Sequence, residues 1–139
     1  MDAYLASIIM FGGNFEPNGW AFCSGETMSL SQNTALFSLL GTTFGGNGQT
    51  TFQLPDMRGR VPMHPGQGPG LSSHSLGEKG GVETVALTPP QIGALSIPTS
   101  KGTEQPIPVP GGAQPHTNLQ PYLCVNFIIC LYGIFPSRS

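Results

Sequence analysis

Near its end the chain carries the run Tyr122–Phe135, YLCVNFIICLYGIF, and this segment limits what the molecule can be. Leu123, Val125, Phe127, Ile129, Leu131 and Phe135 share one parity and are all apolar. The opposite parity holds Tyr122, Cys124, Asn126, Ile128, Cys130, Tyr132 and Ile134, a mixture of apolar and polar groups. A period of two is the signature of a β-strand, and this pattern predicts a sheet covered on both faces, one of them incompletely. The run, about 14 residues, is too short for a membrane-spanning helix, which needs roughly 20. As one straight strand it would extend ~45 Å, too far for a compact monomer of this size. A bend is therefore expected near Asn126 or Gly133.

The rest of the chain points to a loop-rich, mainly β fold with one short helix (α+β). Among 139 residues there are 20 glycines and 14 prolines, yet the apolar runs are too strong for a disordered polymer. The length most simply gives one domain, 1–139. Charged residues make up 9% of the chain, against roughly 25% in ordinary soluble domains. Such a surface favours interfaces, because burying uncharged groups avoids desolvating ions. The formal net charge of −2, with only five Lys and Arg, argues against nucleic acid as a partner. The start, MDAYLASIIMFGG, lacks a basic segment and a cleavage site, so synthesis in the cytoplasm without a signal peptide is expected. Cys23, Cys124 and Cys130 are odd in number, and the last two would lie ~20 Å apart along one strand. All three read as small core hydrophobes.

Local signals divide the remainder. Tyr4–Phe11 reads as a first strand ended by Gly12-Gly13, and Trp20–Cys23 as a second after the turn Pro17-Asn18-Gly19. Ser29 with Gln32 fits a capping box for a helix that packs Leu36, Leu39 and Leu40 before Gly41. FGGNGQTT is a turn, since it lacks the lysine of a phosphate loop. Residues 64–81 are expected to be a long loop, ETVALT a strand, and 93–115, with its prolines, irregular or extended.

Charge is scarce but not evenly spread. Asp56, Arg58 and Arg60 place three of the twelve charged side chains within five positions, in a loop bracketed by Pro55 and Pro62. Two readings compete: a grip for phosphate or a sugar acid, and an ion pair that pins the loop to the domain or to a neighbouring subunit. No second carboxylate lies nearby for acid–base chemistry. His64, His74 and His116 stand 10 and 42 residues apart, without the close pairs that metal sites use. A symmetry axis would turn His64 or His116 into a ring of ligands, so that possibility stays open. In SSHS, His74 stands beside Ser72, Ser73 and Ser75, and a hydrolase using His74 or His116 with a serine is a third reading without a nucleophile-elbow motif to support it.

The motifs P-x-G-W-x-x-C-x-G, S-Q-N-x-A-L-F-x-L-L-G-T, G-G-x-G-x-T-T-F-x-L-P-D and R-G-R-x-P occur in that order between Pro17 and Pro62. Together with the ending PHTNLQPYLCVNFIICLYGIFPSR, this succession resembles the phage tail collar domain, in the form found in microcystin-dependent proteins of bacteria. The likeness covers roughly 4–92 and 113–138, with 93–112 a shortened variable segment. It implies a tail-collar-type fold, an intertwined homotrimer related to short tail fibres, and a place in a virion tail or an extracellular assembly. Asp56, Arg58 and Arg60 then belong to the fold signature and form a structural loop. Relatives carry a P-A-H-T-H stretch whose histidine pairs hold a metal on the trimer axis. Here Leu95 and Ile97 stand at those positions, so the likeness implies an axial apolar ring and no metal.

The expected function is thus non-enzymatic, without cofactors: a tail fibre or collar-like protein for host or cell-surface attachment, with other tail or fibre proteins and a cell-surface glycan as partners. The alternative is a structural subunit of a bacterial extracellular or tail-like assembly with no ligand of its own.

Overall fold

The computed structural model describes residues 3–86 and 114–137, together with the strands Ser96–Pro98 and Glu104–Pro106. In chain order the elements are β1 (Ile8–Phe11), β2 (Trp20–Phe22), β3 (Thr27–Ser29), α1 (Thr34–Leu40), β4 (Thr51–Gln53), β5 (Gly66–Gln67), β6 (Ser73–His74), β7 (Thr84–Val85), β8 (Ser96–Pro98), β9 (Glu104–Pro106), β10 (His116–Thr117) and β11 (Asn126–Cys130). The chain divides into two compact units, Met1–Lys79 with Cys124–Ser139, and Gly80–Leu123. Among the described residues the architecture is mostly β, in small sheets, with one short helix.

The first unit is organised by β11, which lies between β1 and β2 and is antiparallel to both. Ile129 faces Ile8 and Ala21, while Ile128 faces Ile9 and Phe22. Neighbours along a strand point to opposite faces, yet Ile128, Ile129 and Cys130 are all buried, so the middle of β11 is covered on both sides. The regular strand is confined to five residues, because the run loses its ladder before Asn126 and after Cys130. Leu123, 88% exposed, and Val125 lie outside it, contrary to the reading of Tyr122–Phe135 as one long bent strand. Cys124 is exposed, so only Cys23 and Cys130 are core cysteines.

The first strand is also shorter than its apolar run. Ala6 adopts φ 69°, a left-handed conformation that breaks the strand, and its N–H donates to the Cys130 carbonyl. Ahead of that break Tyr4 forms a parallel bridge with Ile134, and Leu5 N–H and Ile134 N–H bond to Ile134 and Ala3 carbonyls. A Cβ on Gly133 would strike the Ala3 carbonyl oxygen, so this crossing of the two chain ends requires glycine.

Beside the sheet, β3 pairs antiparallel with β4, and α1 packs against them. Leu36 is buried in the cluster with Leu5, Ala21, Phe52, Leu54 and Ile129, and Phe37 stands over the Phe52 ring at 5.5 Å. Burying side chains of this size stabilises by about 1.5–3 kcal/mol each, which holds a helix too short to stand alone in water. Gly41 closes it, donating its N–H to the Phe37 carbonyl at 2.7 Å. The capping box, however, does not form. Ser29 is claimed by the β3–β4 ladder, Leu30 N–H donates to the Thr50 carbonyl, and the helix starts later, at Thr34 after Asn33.

The loop after α1 is a turn, as its composition predicts. Asn47 Oδ1 accepts from the N–H groups of Gln49, Thr50 and Thr51 at 2.9–3.0 Å, consuming the donors a phosphate would need. Residues 66–74 contain a two-residue ladder, β5 with β6, inside the predicted long loop. In the second unit β7 pairs with β10 and β8 with β9, all antiparallel. Its described residues in 80–86 and 114–123 are all exposed except the half-buried Val85.

Gly46 sits at φ 95°, and a Cβ there would fall on the Phe52 Cα and the Thr51 carbonyl oxygen. Gly46→Ala is expected to destabilise the protein by at least about 1–3 kcal/mol through backbone strain, read as a lower denaturant midpoint.

Candidate functional site

The charged loop follows directly from the buried end of β4. Leu54 and Pro55 are buried, so the chain leaves the core only at Asp56. Backbone bonds fix this exit: Leu54 N–H donates to the Glu26 carbonyl, Gly25 N–H to Pro55, and Met57 N–H to Cys23, all at 2.9–3.1 Å. Ser24 and Asp56 form an isolated antiparallel bridge. The segment after β2 and the charged loop are thus tied by main chain.

The charges then act within the loop. Arg58 grips Asp56 with two parallel bonds, Nε to Oδ1 at 2.8 Å and Nη2 to Oδ2 at 2.9 Å, and its backbone N–H also donates to Oδ1. Arg60 Nη1 donates to the Arg58 carbonyl at 2.9 Å. The ion pair therefore closes a local turn, and the anchoring to the domain comes from Leu54, Gly25 and Met57. Arg58 hydrogen-bonding, with smaller contributions from its backbone and the charges of Arg58 and Arg60, holds the Asp56 carboxyl far below the usual carboxylate range. Asp56 in turn raises Arg58 above its ordinary value. A general base works best with a pKa near the operating pH, so this carboxylate is poorly suited to proton transfer.

The histidines occupy separate surroundings. His64 Nδ1 lies 2.6 Å from the Pro65 carbonyl oxygen. His74, on β6, meets Glu78 at 3.0 Å, and Ser75 N–H donates to the same carboxylate at 2.8 Å. Ser75 first and His74 second hold Glu78 below its ordinary pKa. His116 is exposed on β10 in the second unit. Among the described residues no serine hydroxyl bonds to His74, and no group of three His, Cys, Asp or Glu is placed to hold a metal. Burial pushes the Cys23 thiol up to about 11, which leaves it a packing group and not a nucleophile. Leu95 lies outside the described residues, and of Ile97 only the backbone pairing with Gln105 is described.

Sequence reasoning missed Glu16. Its carboxylate accepts the N–H of Phe22 at 2.7 Å and seals the outer edge of β2. The only hint was a lone acid just before the PNGW turn, and charge alone does not say which N–H it meets. No helix among the described residues is long and apolar enough to cross a membrane.

Loss of the paired carboxylate should be modest, since Arg58 is 71% exposed and solvent screens the pair. Asp56→Asn is expected to cost about 0.5–1 kcal/mol near neutral pH. Because the folded pKa is depressed, the unfolded chain takes the proton first on acidification. The gap between parent and variant should be full above the ordinary carboxylate pKa near 3.8 and close as pH falls through the lower folded value. Denaturation midpoints of both proteins against pH check this.

No curated protein matches the chain. Residues 6–62 match the family of the phage tail collar domain, a structural domain of phage tails. That span runs from the break at Ala6 through α1 to the end of the charged loop, so the ordered succession of turn, helix, glycine-rich loop and Asp56–Arg60 is the part of this chain that matches the phage tail collar domain.

Proposed function

We propose that the chain is a non-enzymatic, tail-fibre-like structural protein of the virion tail that assembles as a homotrimer and serves attachment to a cell surface. The observation that carries this reading is the mismatch between apolar content and burial. Among the described residues seventeen large hydrophobic side chains are exposed, against nine buried apolar residues. Exposed apolar side chains in this number favour a partner surface over solvent. The second unit supports the same reading, since ladders of two and three residues with no buried described side chain are not stable alone in water. Other copies of the chain supply the missing cover.

In this reading Asp56, Arg58 and Arg60 keep a structural role, shaping the loop that follows β4. Leu95 and Ile97 replace axial metal ligands with apolar packing, worth ~1.5–3 kcal/mol for each side chain fully buried. The receptor is a cell-surface glycan, met by exposed aromatic and loop residues. A structural subunit without its own ligand is the alternative, and glycan binding separates the two.

Light scattering at micromolar concentration should give three times the 14.6 kDa chain mass. Chelator should leave that mass unchanged, and immobilised cell-surface glycans should retain the protein. A monomer at every concentration tested overturns the assembly, and stoichiometric zinc lost together with assembly overturns the apolar axis.

A further inference from the structure

The two edges of the central sheet are treated very differently. On β11, the groups of Phe127, Ile129 and Leu131 face β2: Cys23 N–H donates to the Phe127 carbonyl and Leu131 N–H to Gly19. Cys130 faces the other way and donates to the Ser7 carbonyl at 2.9 Å. Alternation along an antiparallel ladder then turns Ile9 and Phe11 toward β11, and leaves the N–H and C=O of Ile8 and Met10 pointing outward. No turn, loop or side-chain hydrogen bond among the described residues reaches those groups. The β2 edge is sealed by comparison, with Phe22 N–H on Glu16 and Trp20 N–H on the Pro17 carbonyl.

Open edges are normally blunted by charge, proline or a bulge. Here Ala3 to Phe15 contains neither a charged residue nor a proline. Ile8, Ile9 and Met10 are 42%, 45% and 71% exposed, so the edge offers free backbone groups flanked by apolar side chains. That combination selects an extended, uncharged strand as its complement.

We propose that the outer edge of β1 is a strand-pairing site for β1 of a second copy of this chain, antiparallel, with Ile8 opposite Met10. The pattern is self-complementary. Ile8 and Met10 both direct their polar groups outward, so pairing Ile8 with the partner's Met10, and Met10 with the partner's Ile8, satisfies the free donors and acceptors on both strands. Ile9 then meets the partner's Ile9 on a two-fold axis as a non-hydrogen-bonded pair, the closer of the two pair types. All three exposed side chains gain an apolar cross-strand neighbour. The two sheets merge into one continuous sheet in which β1 is no longer an edge. Such a contact is small, and it acts as a link between assemblies already held together elsewhere. It is independent of any three-fold axis: two trimers would be joined by it, and so would two monomers.

The test is disulfide trapping in full-length protein carrying Cys124→Ser, which removes the exposed thiol. Ile9→Cys should form a covalent two-chain species under mild oxidation, because residue 9 meets itself. Ile8→Cys should form at least tenfold less, because its opposite residue is Met10. Adding Met10→Lys to Ile9→Cys places charges along the seam and should abolish the cross-link, while the far-ultraviolet spectrum stays unchanged because the Met10 side chain is exposed. Equal cross-linking at positions 8 and 9, or none at position 9, overturns the pairing. These readouts count covalent pairs, so a failure here is distinct from a failure of the trimer, which light scattering reports.

Discussion

The fold of the first unit depends on a late strand being inserted between two early ones. β11, from the end of the chain, fills the space between β1 and β2, and both of its hydrogen-bonding rows are used. Its paired isoleucines, Ile128 and Ile129, are buried on opposite faces, and Ile129 belongs to the same cluster as Leu36 and Phe52. Without β11 the two early strands would have no partner, and the helix would dock on an incomplete surface. Residues over a hundred positions apart must therefore meet before the early half is stable. Closing so long a loop is an entropic cost met before any contact rewards it. The family match ends at residue 62, so the collar segment completes its core with a strand from beyond its own limits.

Charge in this molecule is used sparingly and locally. Asp56 and Arg58 neutralise each other within one turn, Glu78 is engaged by Ser75 and His74, and Glu16 guards a strand edge. Among the described residues these charges are spent on holding turns and a strand edge. What the described surface offers in quantity is apolar side chain and uncharged loop. That inventory fits the assembly role proposed above, since contact area of this kind does not carry the desolvation cost of ions.

The sequence was legible where a signal depended on a residue's own chemistry. Asn47 and the glycines made a turn, Gly41 ended the helix, and the alternation around Ile128 and Ile129 marked a doubly covered strand. It misled where tertiary pairing decided the outcome. Ser29 had the right spacing for a helix cap, but its backbone was already committed to β4. Ala6 sat inside Tyr4–Phe11, which read as one strand, yet its backbone is left-handed where the early segment crosses Ile134. Apolar character states that a side chain favours burial and says nothing of which chain buries it, so Leu123 and Cys124 read as core and stand exposed. The Asp56–Arg58 pair was visible as a cluster. Its direction, inward on the loop, needed coordinates, because two-residue spacing permits either a local or a distant partner.

The second unit begins and ends on the first: Gly80–Leu123 is an excursion leaving at Lys79 and returning at Cys124. The loop-closure term grows only with the logarithm of length, about 0.6 kcal/mol for each doubling. Evolution can therefore lengthen, trim or exchange this excursion at small expense to the scaffold, provided the returning strand still reaches its slot. The constraint on the inserted segment is thus one of closure, set by where its two ends leave and rejoin the scaffold, and not one of length.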